Sequence, residues 1–143
     1  MPTEILKPVV ALAVWTAVMW FWLYVTRIPA MKVANVDADK LVREPGASLD
    51  DVLPPQVQWA AHNYNHLHEA PTVFYAIALT LALIGKGEGA PATVAWAYVA
   101  LRVIHSLVQV LGNRVMVRFV IFALSSLALF TLIGMAAFAL FTA

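Results

Sequence analysis

The sequence predicts an all-α integral membrane protein, a four-helix transmembrane bundle, on three observations. Of its 143 residues, 62% are hydrophobic and 12% are charged, and the mean hydropathy is +0.80. Soluble domains carry about 25% charged residues, so the solvent for most of this surface is lipid. Four segments come up to the length of about 20 predominantly apolar residues that a membrane helix needs. They cover about 8–28, 57–84, 90–111 and 115–141 of a single domain, 1–143.

Composition also excludes functions. A net charge of +1 provides no basic field for nucleic acid. There is no cysteine, which removes disulfides, thiolate nucleophiles and iron–sulfur clusters.

The first helix follows Lys7 and begins with Pro8, which a first turn tolerates. Its apolar run exceeds the roughly 7–15 residues of a signal-peptide core. Arg27 follows with no small-residue cleavage site, so the helix is expected to be retained. A polar loop at about 29–56 holds Asp37, Asp39, Lys40, Arg43, Glu44, Asp50 and Asp51, broken by Pro45-Gly46 and Pro54-Pro55. Asp37 and Asp39 read as solvated charge rather than a metal site. The second helix ends before Gly85-Lys86-Gly87-Glu88-Gly89. The third starts near Pro91 and closes at Gly112 and Asn113, expected C-cap residues. The fourth carries Ser125, Ser126, Thr131 and Gly134, small residues that read as close helix contact.

Loop charges orient the bundle. Arg27, Lys32, Lys40, Arg43, Arg114 and Arg118 lie on one side and Lys7 and Lys86 on the other. The first side is therefore expected to be cytoplasmic and both termini non-cytoplasmic. Trp20, Trp22 and Tyr24 fit an aromatic belt there. A short chain of this kind fits a bacterial inner membrane.

The second helix carries the unusual chemistry. Its purely apolar part, residues 73–84, spans only about 18 Å at 1.5 Å per residue, short of a hydrocarbon core of about 30 Å. The crossing must continue upstream through Asn65, His66, His68 and Glu69, with a kink expected at Pro71. On an unbroken helix His62, Asn65, His66 and Glu69 share a face. On the third helix Tyr98, Arg102, His105 and Gln109 share another. Counted from the non-cytoplasmic end, Glu69 and His105 both lie about 22 Å deep and Arg102 about 18 Å. An arginine at that depth costs roughly 2.5–3.5 kcal/mol on insertion scales and should be paired. Glu69 is its expected partner. A register-fixing ion pair is one reading. The surrounding polar groups and Arg118 favour the other, a site for an anionic ligand, because arginine presents a fork to carboxylates. His62, His66, Glu69 and His105 could bind zinc or iron, and His66 with His105 could hold a haem. The charge of Arg102 opposes a metal cation, so no metal is assigned.

The segments His66-Leu67-His68-Glu69-Ala70-Pro71-Thr72-Val73-Phe74 and Arg102-Val103-Ile104-His105, with Arg118 after them, resemble the MAPEG family. These are the membrane-associated proteins of eicosanoid and glutathione metabolism. The resemblance covers the whole length and is closest to small bacterial members. It implies a homotrimer of four-helix subunits, with glutathione bound between subunits near the cytoplasmic face. It also implies a ligand shell of Asn65, His66, Glu69, Arg102, His105 and Gln109. Glu69 would hold the glutathione amine, and Arg118 would be the catalytic arginine that stabilises the thiolate. A nearby cation lowers a thiol pKa and raises the nucleophilic fraction. The family commonly has asparagine where this chain has His66, and tyrosine where it has Gln109. Its serine and tyrosine after the catalytic arginine are Phe119 and Phe122 here. Two functions follow. One is a glutathione-dependent transferase or peroxidase acting on lipophilic substrates from the bilayer. The other is a non-catalytic membrane interaction or accessory protein with a structural Glu-Arg-His cluster.

Overall fold

Five helical segments form the described part of the computed structural model, which comprises residues 4–35 and 53–142. They are α1 (Leu6–Val33), α2 (Pro55–His66), α3 (Ala70–Leu83), α4 (Ala90–Leu111) and α5 (Val115–Phe141). The loop residues Asp37, Asp39, Lys40, Arg43, Glu44, Asp50 and Asp51 lie outside the described residues.

Three of these helices, α1, α4 and α5, are long and apolar enough to cross a membrane. α1 runs past the expected end at residue 28 and carries Pro29 within it. Proline disturbs the turn before it, and with Pro29 so close to the C-terminus little of the helix lies beyond that disturbance. Asn35, at φ 54°, then turns the chain.

The single helix expected over 57–84 is two helices. Proline at 71 cannot donate to the Leu67 carbonyl, and its ring would collide with that carbonyl in a continuous helix. The last turn of α2 therefore tightens, with His68 N–H donating to Asn65 O (3.0 Å) and Glu69 N–H to His66 O (3.2 Å). Glu69 adopts φ −92°, ψ −97°, outside the helical region, and α3 restarts with Pro71 in its first turn, where proline is tolerated. With 14 residues, α3 is about 21 Å long, which does not span a hydrocarbon core alone.

Turn chemistry sets the remaining joints. α3 ends in a Schellman arrangement: Gly85 takes φ 75°, Lys86 N–H donates to Leu81 O (2.8 Å) and Gly85 N–H to Ala82 O (3.2 Å). At the end of α4 the left-handed residue is Asn113 (φ 51°), while Gly112 stays at φ −132°. The chain start is tied to the α3–α4 turn. Ile5 N–H donates to Gly87 O (3.0 Å), and Gly89 N–H donates to Glu4 Oε2 (3.2 Å). Leu81, Lys86, Pro91, Phe138 and Thr142 border one groove, so the end of α5 meets the same turn.

The main core joins Leu12 and Met19 of α1, Phe74 and Leu81 of α3, Ala95 and Tyr98 of α4, and Leu129 and Leu132 of α5. Phe74 stacks on Tyr98 with ring centroids 4.5 Å apart and an interplanar angle of 18°. A smaller cluster of Leu23, Ala60, Ala61 and Val110 packs α2 between α1 and α4. On α5 only Ser125, Leu129, Leu132 and Ala136 are buried, a stripe spaced by four, three and four residues. Ser125 belongs to this contact, whereas Gly134 and Thr131 are outside it. A Cβ built on Gly134 meets nothing within 4 Å.

Candidate active site

The polar residues gather where α2 ends, α4 nears its C-terminus and α5 begins. α4 supplies most of them, because Arg102, His105, Ser106 and Gln109 repeat at helical spacing on its inner face and all are buried. Arg102 is 0% exposed and His105 2%. The C-terminus of α2 brings His66 onto this face. Arg102 Nη2 donates to His66 Nδ1 at 2.5 Å. The rings of His66 and His105 stack with centroids 4.8 Å apart and planes within 11°. From α5, Phe122 meets His66 edge-on at 5.8 Å. The result is a cavity of about 230 Å³ bounded by His66, His105, Val115, Arg118, Phe119 and Phe122.

Of the residues expected at the site, His66, His105 and Arg118 share this cavity, and Arg102 lies directly behind His66. Gln109 is buried further along α4, outside the cavity lining, and its Oε1 has no protein partner among the described residues. Asn65 is exposed on α2. The Glu69 side chain is 68% exposed, with Oε2 3.9 Å from His66 Nε2. The expected Glu69–Arg102 pair is therefore replaced by a His66–Arg102 hydrogen bond. The break at residues 67–69 turns Glu69 off the face it would share on an unbroken helix, and His66 stands between carboxylate and guanidinium.

The metal and haem alternatives meet the same geometry. His62 is exposed on α2, and no group of three or more His, Cys, Asp or Glu side chains is placed to hold an ion among the described residues. Axial haem ligands must point at an iron from opposite sides, which two imidazoles stacked at 4.8 Å do not do.

Sequence reasoning missed Asn63, which is 0% exposed and whose amide N and O have no protein partner among the described residues. Ala60, Asn63 and Leu67 are all buried at helical spacing. The small and apolar members of that series mark the inward face of α2 better than the polar series 62–65–66–69 does.

A family match runs over residues 5–138, nearly the whole chain. The chain belongs to the MAPEG family. No curated protein and no solved structure matches it. As a MAPEG-family protein it is an integral membrane protein, and the large apolar side chains it leaves outside the bundle follow from that. Phe21 (63% exposed), Val25 (71%) and Phe130 (63%) would be costly in water and are at home against acyl chains. Within this MAPEG-family bundle the cavity lining mixes polar and apolar groups: α2 and α4 contribute the imidazoles of His66 and His105, and α5 contributes the Arg118 guanidinium together with Val115, Phe119 and Phe122. Such a lining can hold an anionic head and an apolar group together.

Proposed function

We propose that this protein binds glutathione at the His66–His105–Arg118 cavity and uses it, as a transferase or peroxidase, on lipophilic substrates arriving through the bilayer. The supporting observation is that Arg118 shares one cavity with both imidazoles and with the apolar side chains of Val115, Phe119 and Phe122. The donor set suits the ligand's chemistry. Arg118 is a permanent cation, and His66 and His105 add ring nitrogens able to bond a carboxylate or a sulfur anion. Glutathione would supply a thiol nucleophile. Arg118 would favour its anion by charge, and Val115, Phe119 and Phe122 would seat an apolar substrate beside it.

The cavity volume supports a site shared between subunits. At about 230 Å³ it is smaller than the roughly 300–1,000 Å³ common for small-molecule pockets. One chain would cover only part of a tripeptide. A homotrimer would bring another copy against the exposed Asn65 and Glu69, where Glu69 could hold the amine. On this reading α2 and α3 together form a jointed second crossing. The site then opens toward the cytoplasm, with both termini on the far side of a bacterial inner membrane.

A second reading, a non-catalytic accessory protein, is favoured by Phe119 and Phe122, which offer the cavity no hydroxyl donor. One experiment separates the two. Purified protein in detergent is titrated with millimolar glutathione while melting is followed, and thiol conjugation to a lipophilic aryl halide is measured in parallel. The enzyme reading expects stabilisation, conjugation, and loss of conjugation with a retained melting shift in Arg118→Leu. Stabilisation without conjugation favours the accessory role, and no stabilisation sinks glutathione as ligand.

A further inference from the structure

Arg102 is 0% exposed and is not among the residues that line the cavity. Its link to the site is the bond from Nη2 to His66 Nδ1. A guanidinium has only donors and keeps its charge in proteins. The Nδ1 atom must therefore accept, and in the neutral ring the proton sits on Nε2. The His66 side chain is 24% exposed, and Nε2 is 3.9 Å from Glu69 Oε2, longer than a hydrogen bond. The ring plane is held on one face by the stacked His105 and at its edge by Phe122.

We infer that Arg102 is a positioning residue that acts through His66, holding its imidazole as a fixed N–H donor available to an anionic atom bound in the cavity that His66 lines. A ring in this state has no free lone pair with which to take a proton, so His66 is not the general base for a thiol. The thiol S–H bond breaks with its proton passing to water, and the sulfur anion left behind is met by Nε2–H of His66 and the charge of Arg118. Only the ligand's identity rests on the glutathione reading, since the tautomer is a property of the chain.

The test uses the full-length protein in detergent with ¹⁵N-labelled histidine. Multiple-bond ¹H–¹⁵N correlation reports which ring nitrogen carries hydrogen, and the His66 signals are assigned by their loss in His66→Asn. The expected result is the Nε2–H form in the wild type and a mixture of both tautomers in Arg102→Met. An Nδ1–H ring in the wild type, or an Nε2–H ring unchanged in Arg102→Met, overturns the inference whatever glutathione does. A second arm measures glutathione affinity from the melting shift. His66→Asn, which keeps an N–H donor, should bind like the wild type, and His66→Phe should bind about tenfold more weakly. Equal binding by His66→Phe overturns the donor role. Wild-type protein that ignores glutathione overturns the ligand reading alone and leaves the tautomer result standing.

Discussion

Replacing Arg102 by methionine should raise the melting temperature of the protein measured without ligand. Methionine is unbranched, adapts to irregular gaps and carries no strong donor. Two terms oppose each other. The substitution removes a fully buried guanidinium whose Nε and Nη1 have no protein partner among the described residues. Each such buried donor costs about 1–3 kcal/mol. Against this, it deletes the bond to His66 Nδ1, a charge-assisted bond worth about 1.5–3 kcal/mol. The attraction of Glu69 adds little, because its side chain is 68% exposed and well screened. The balance favours methionine by about 1–3 kcal/mol. For a chain of this size that is a rise on the order of 3–10 °C. Tryptophan fluorescence during heating in one detergent, at fixed protein concentration, reads it directly. A fall of comparable size would refute the reasoning, since it would mean that the guanidinium gains more from the bundle than its one bond. A rise coupled to weaker glutathione binding would make Arg102 a residue kept for function at a cost in stability.

Three further outcomes follow from the fold. Gly89→Ala should lower stability by about 1–3 kcal/mol, because φ 70°, ψ −127° is a glycine conformation; the added Cβ meets no atom within 4 Å, so the cost is backbone strain alone. An unchanged melting curve would show that the turn relaxes. Leu132→Ala, at a position 0% exposed, should cost about 2–5 kcal/mol, and Leu127→Ala, at one 61% exposed, should stay within about 0.5 kcal/mol. Equal losses in denaturation would show that α5 packs through another face. Gly134→Ala should stabilise the helix by up to about 1 kcal/mol, since Gly134 has open space around its Cα. Destabilisation, or loss of an oligomer on size exclusion, would instead put another copy against Gly134.

The membrane character was legible because it depends on composition and run length, which survive any error in packing. The spans behind α1, α4 and α5 are long, predominantly apolar runs, and nothing in the tertiary structure needs to be known to find them. The expected second crossing was harder. Its apolar part is short, and Pro71 signals a kink without saying whether the chain bends or stops. The structure resolves it as a stop, with three non-helical residues, 67–69, between α2 and α3. At the end of α4 the turn needed one left-handed residue, and asparagine and glycine were both available. The choice of Asn113 over Gly112 depends on backbone direction, which no local pattern encodes.

The site was legible on α4 and only half legible on α2, for one physical reason. α4 is a continuous helix, so Arg102, His105 and Gln109 share a face whatever else happens. The same periodicity applied to residues 62–69 assumes a helix that ends at residue 66. His66, the last helical residue, still obeys the phase and reaches Arg102; Glu69, three residues on, does not. The break therefore decides the electrostatics. On a continuous helix the carboxylate would share the face of His66 and could pair with the guanidinium directly. With the helix broken, an uncharged ring stands against Arg102, the carboxylate moves out to the rim, and Arg118 remains in the cavity wall. That is a better arrangement for receiving an anion than the salt bridge would be, and it follows from the proline at 71.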